Sequence, residues 1–269
     1  MNLVKAFLKF LGGESGEDKA MLLLLSQGFF MGIFIATYQV GAETLFLTEL
    51  GEDLLSESFF AAGVMGVITT IIFVWFQKYI RFSILAISTS FIILVFVVGL
   101  RIAYFTIDWP YWSFVQFVMI GPATVLIILS FWGIFGRMFD LRQSKRIIGG
   151  IDTGQLAATV IAFFSIPIIS QVLNSDTQDL LIAATVACFG IFFFTIWIVR
   201  AFNLDAATKV KHDEEKPKSV NFLTLIKDKY LRMMCLFLAF SMAVGTFVEF
   251  IFYTATETMY PDEEEELVC

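Results

Sequence analysis

Five polar side chains sit inside otherwise apolar runs of this sequence: Gln39, Glu43, Gln116, Gln155 and Glu249. A charge at mid-bilayer costs about 2.5–3.5 kcal/mol even on the lenient scale, so such groups persist where they are paired, carried neutral or used. Gln39 and Glu43 are four residues apart and share one helix face. Glu249 lies in the run FVEFIF, well inside an apolar segment. A carboxyl in that setting can carry a proton or contact a solute, which is the chemistry of a coupled transport path. The plain alternative is a carboxyl neutralised by burial or paired with a neighbouring helix. Asp152, Gln155 and Thr159 share a face near one end of their segment, where Asp152 is expected to cap the helix rather than to bind. Glu43 and Arg101 fall near segment ends, so an interfacial position competes with a functional one.

Other chemistries lack their residues. No apolar segment contains a lysine, which removes a Schiff-base site. There is no GxxxxGK[ST] phosphate loop, no HExxH, and no GxSxG with plausible partners. The single histidine, His212, lies in a charged stretch, so no histidine metal site is expected. Of three cysteines, Cys188 and Cys235 lie in apolar segments and Cys269 is the last residue, which gives no disulfide framework. No cofactor, metal or enzymatic activity is expected. A nucleic-acid partner would need a clustered basic surface with aromatic platforms, and none is present.

The elements that hold these side chains follow from composition. The chain has 269 residues, 58% hydrophobic and 16% charged, with 32 phenylalanines and a mean hydropathy of +0.81. Soluble domains carry about 25% charged residues, so this apolar excess needs lipid as its solvent. A bilayer core of about 30 Å takes about 20 helical residues. Seven segments qualify, at 21–47, 59–77, 83–106, 111–135, 149–172, 180–203 and 231–255.

Charge gives the orientation. Seventeen of the 18 Lys and Arg residues fall before span 1 or in the 2–3, 4–5 and 6–7 connections, and only Arg101 is on the other side. The opposite connections are acidic, with Glu49, Glu52, Asp53, Glu57, Asp108, Asp176, Asp179 and the stretch Asp262–Glu266. The positive-inside rule then places the N-terminus in the cytoplasm and the protein in the cell's inner (plasma) membrane. That orientation disfavours a seven-helix receptor.

Residues 1–20 carry an amphipathic stretch in which Leu3, Val4, Phe7, Leu8 and Leu11 line one face beside Lys5 and Lys9, expected as an interfacial helix. Residues 21–203 hold six spans. Residues 204–230 form a charged linker containing Pro217, with Ser219 placed to cap a short helix over VNFLTLIKDKYL. Residues 231–269 carry the seventh span. GAETLF at its end in span 1 and ATETMY at its end in span 7 form an internal echo, with Glu43 and Glu257 equivalent. Gly150, Gly154, Ala158 and Ala162 make a small-residue stripe on span 5, and Ala62, Gly66 and Thr70 a shorter one on span 2. Gly121–Pro122 and Pro167 predict kinks.

The segment FGRMFDLRQSKRIIGGIDTGQLAATVIAFF, residues 135–164, resembles the ATP/ADP antiporter (nucleotide transporter) family of the major facilitator superfamily at its 4–5 connection. The matching residues are Phe139, Asp140, Arg142, Lys145, Arg146 and Gly149. GAETLFLTELG is similar to the family's first span, and LIKDKYLRMM to its mid-protein junction. The resemblance implies an all-α transmembrane fold: a six-helix half-bundle plus one further span, from a bundle of about twelve helices working by alternating access. It also implies that the natural protein extends beyond this chain, with a possible soluble C-terminal domain. The expected partners are the lipid bilayer and a small-molecule solute, a nucleotide among the candidates. The family's nucleotide carriers hold phosphates with basic residues inside spans, where this half offers only Arg101. Spans 1, 4 and 7 are expected to line the path, and the 4–5 connection, with Asp140 facing Arg142, Lys145 or Arg146, to act as hinge or gate. The alternative is a non-transporting membrane module that anchors or regulates a soluble partner.

Overall fold

The computed structural model describes residues 2–14, 16–51, 54–173, 177–202, 204 and 228–259. Most of the 204–230 linker lies outside the described residues, including His212, Pro217 and Ser219. So do Glu52, Asp53, Asp176, the Asp262–Glu266 stretch, Cys269 and the side chain of Glu257.

Helices account for the architecture, and no strand occurs among the described residues. In order they are α1 (Asn2–Phe10), α2 (Asp18–Leu50), α3 (Leu55–Tyr79), α4 (Phe82–Thr106), α5 (Trp112–Val118), α6 (Ile120–Met138), α7 (Leu141–Leu173), α8 (Thr177–Ala201) and α9 (Lys229–Met259). Seven elements are long and apolar enough to cross a bilayer: α2, α3, α4, α5 with α6, α7, α8 and α9. The chain is an all-α, seven-span membrane protein. Aromatic residues mark the two interfaces, as amphipathic rings do at headgroup depth. Trp109 and Trp112 pack at 5.0 Å at one end of the bundle, and Trp75 and Tyr79 at 5.0 Å at the other.

The fourth span is broken. Pro122 lacks an N–H, and its ring opposes the carbonyl four residues back, that of Val118. Helix α5 ends at Val118 and α6 begins at Ile120, with Met119 at φ −87° and ψ −2° between them. Pro167, by contrast, is absorbed inside a continuous α7.

Helix α2 is the centre. It packs against α7, α8 and the α5–α6 span, while α3 packs on α5 and α6, and α4 on α6 and α8. This pattern maps onto itself when spans are shifted by three. Span pair 1–5 becomes 4–2, pair 1–6 becomes 4–3, and pairs 3–6 and 1–4 map to themselves. Three crossings is an odd number, so the two triplets run in opposite senses through the membrane.

Lipid supplies no hydrophobic drive between spans, so close packing must do so. Gly28 and Gly32 on α2 meet the α7 stripe; a Cβ at Gly32 would lie 2.6 Å from the Gln155 carbonyl oxygen and 2.9 Å from Ala158 Cβ. The main core includes Met21, Leu24, Phe34 and Tyr38 of α2 with Phe131, Ile134, Ile147 and Ile198. A smaller second core joins Phe46, Leu55, Phe117 and Tyr253. Through it α9 meets the bundle; its residues 232–248 are all exposed.

The structure departs from three sequence expectations. Helix α7 begins at Leu141, so Arg142, Lys145 and Arg146 are helical, not loop. Asp140 is the residue before that helix, and its N–H donates to Gln143 Oε1 at 3.0 Å, half of a capping box. Asp152 lies mid-helix and therefore does not cap span 5. Helix α1 also does more than lie at an interface. Leu8 is buried in the main core, whereas Phe7 and Phe10 face outward.

Candidate functional site

Two i, i+4 polar pairs face each other across α2 and α9. Gln39 and Glu43 are on α2; Glu249 and Tyr253 are on α9. The Gln39 side-chain Nε2 donates to Glu249 Oε1 at 3.3 Å. The Tyr253 hydroxyl lies beside the Glu43 carboxyl and interacts with it, as does the Gln39 amide. Each carboxyl therefore has a neutral partner on the facing helix. The rings beside them fix the register. Phe59 of α3 packs on Phe117 at 5.4 Å, on Phe250 at 6.0 Å and on Tyr253 at 6.1 Å. These contacts hold the Glu249 end of α9 against the bundle.

Alongside runs a cleft of about 320 Å³ between α2, α7 and α9. Its wall includes Glu43, Thr44, Phe163, Pro167, Phe252 and Tyr253. That volume is at the lower end of what small-molecule sites occupy. Because Pro167 has no N–H, the Phe163 carbonyl lacks its i+4 helical partner on the stretch of α7 that walls the cleft.

The other sequence candidates are elsewhere. Gln116 is deeply buried on α5, and its backbone carbonyl accepts a hydrogen bond from the Tyr38 hydroxyl at 3.3 Å. Both polar atoms of its side chain lack a partner. Gln155 is half-buried on α7 opposite Gly28 and Gly32. Gly32 is seven residues before Gln39, so Gln155 sits about 10 Å from the polar pairs along the axis. Of the gate candidates, Arg146 pairs with Glu14 and, at 2.7 Å, with Glu17, both in the α1–α2 connection. Gly12, at φ +92°, approaches the Arg146 carbonyl so closely that a Cβ there would lie 2.8 Å away. The positive φ and this contact both require glycine. Arg142 and Lys145 are on the same first turns of α7, and Asp140 starts the helix.

Sequence reasoning missed two features. Tyr253 passes for one more lipid-facing aromatic, although its spacing of four from Glu249 repeats that of Gln39 and Glu43. The second is a buried polar link across three spans. Gln27 Nε2 donates to Thr195 Oγ1 at 2.9 Å, and Ser90 Oγ lies 3.3 Å from the same hydroxyl. Hydroxyls are common in spans and carry no sequence signal of pairing. No family model, no curated protein and no solved structure matches this chain.

Proposed function

We propose that this chain is the six-span half, with the first span of the second half, of a major-facilitator-type secondary transporter resembling the ATP/ADP antiporter family. It moves a small organic solute rather than transforming one, with α1 in the cytoplasm and the bundle in the plasma membrane. The observation that carries the reading is the Gln39–Glu249 hydrogen bond beside the α2–α7–α9 cleft. A carboxyl with neutral partners, on the helix least held by the bundle, is placed to exchange a proton or a solute contact as α9 moves. The three-span repeat in the packing supports the same reading, because inverted triplets are how such half-bundles are built. The charge asymmetry of the connections supports the orientation.

The test uses the full-length protein in proteoliposomes, with uptake of nucleotides, amino acids, organic acids and organic amines measured under an imposed pH gradient. Uptake of one class is expected to follow the gradient, and Glu249→Gln to abolish that dependence. Unchanged pH-driven uptake in E249Q sinks the coupling role. A thermal-shift screen identifies the solute first, since a ligand at 100 times its Kd stabilises by about 2.7 kcal/mol.

A further inference from the structure

We infer that the α2–α7–α9 cleft takes amphipathic organic cations of ammonium or phosphonium type and turns phosphate-bearing solutes away. This rests on the transport reading and names the substrate class of the same site.

Among the described residues the cleft wall contains no Lys, Arg or His. It holds the Glu43 carboxyl, with Glu249 one hydrogen bond away through Gln39. The partners of both carboxyls are neutral, so among the described residues no positive charge faces them. A bound cation supplies that charge and favours the ionised carboxyl, whereas a phosphate finds no cationic partner in a medium of low dielectric. Building repulsion against the wrong class is how sites discriminate. The aromatic faces of Phe163, Phe252 and Tyr253 attract cations and accept an apolar body. The Phe163 carbonyl, freed by Pro167, belongs to the stretch of α7 that makes the third wall. Access matches this chemistry. Phe252 and Phe164, also on the wall, are 63% and 74% exposed, so the cleft is open on that apolar side, where the apolar body of an amphipathic cation can enter.

The experiment compares tetraphenylphosphonium with tetraphenylborate, which have the same shape and opposite charge, on the full-length protein in nanodiscs by equilibrium binding of labelled ligand. Empty nanodiscs give the lipid background. Saturable binding of the phosphonium alone is expected, weakened at least tenfold by Glu43→Gln and restored in part by Glu43→Asp, with ATP not competing. Equal saturable binding of both ions, saturable binding of neither, or competition by ATP overturns the inference. Loss of folded E43Q does not rescue it, because the wild-type comparison of the two ions decides alone. Phosphonium bound but never carried across proteoliposomes leaves the inference standing and removes the transport reading. Nucleotide uptake with no phosphonium binding does the reverse.

Discussion

Along α2, the seam with α7 and the seam with α9 are built by opposite rules. The α7 seam is dry and close. Gly32 sits against Gln155 and Ala158 at distances that leave no room for a methyl group, and Gly28 one turn earlier lies in ordinary contact range of Gln155. The α9 seam is polar and short. It consists of two carboxyls, an amide and a phenol, with rings from α3 and α5 at one end, and residues 232–248 of α9 are all exposed. In lipid, a tight small-residue seam makes two helices one body, while a few hydrogen bonds average only about 0.6 kcal/mol each. The contrast sets α2 and α7, joined by close packing, apart from α9, which a few polar and ring contacts hold at one end.

The largest expected effect breaks the tight seam. Gly32→Ala should cost about 2–3 kcal/mol, because backbone faces the new methyl and cannot step aside. Gly245→Ala on α9, where a Cβ meets nothing, should stay within about 0.5 kcal/mol of wild type. Thermal unfolding of the two purified variants measures both, and equal melting temperatures would refute the distinction. Next comes the polar seam. Tyr253→Phe removes the hydroxyl from Glu43 and should cost about 0.6 kcal/mol. A loss comparable to that of G32A would mean that the α9 seam is as rigid as the other. The smallest effect concerns the N-terminal end of α7. Arg146→Gln releases Glu14 and Glu17, so a glutamate-specific protease should cut there faster while melting is little changed. Cleavage at the wild-type rate would show that Gly12 and Leu8 hold the α1 segment without the ion pairs.

The seven spans are legible because length and apolar run alone define them, and most Asp, Glu, Lys and Arg residues sit between them or at their ends. The tight seam was half legible. The Gly154–Ala158 stripe stood out on span 5, yet Gly28 and Gly32, spaced as small-xxx-small on span 1, are its partner and went unremarked. The start of α7 was misplaced because Arg142, Lys145 and Arg146 look like loop, although Asp140 and Gln143 spell a capping box. Glu249 and Gln39 were each visible as polar groups in apolar segments. Their pairing was not, since 210 residues separate them and only the docking of α9 brings them together. Arg146 was foreseen near Asp140; its partners in the fold are instead Glu14 and Glu17, because α1 folds back across the α7 terminus.

The break at Met119 has a consequence for how packing divides across the bundle. Phe117, before it, belongs to the second core with Tyr253 of α9, and Phe131, after it, to the main core with α2. The junction at Met119 therefore divides one crossing between two cores: α5 shares the ring cluster of α9, α6 shares the main core of α2, and Ile120 packs against both.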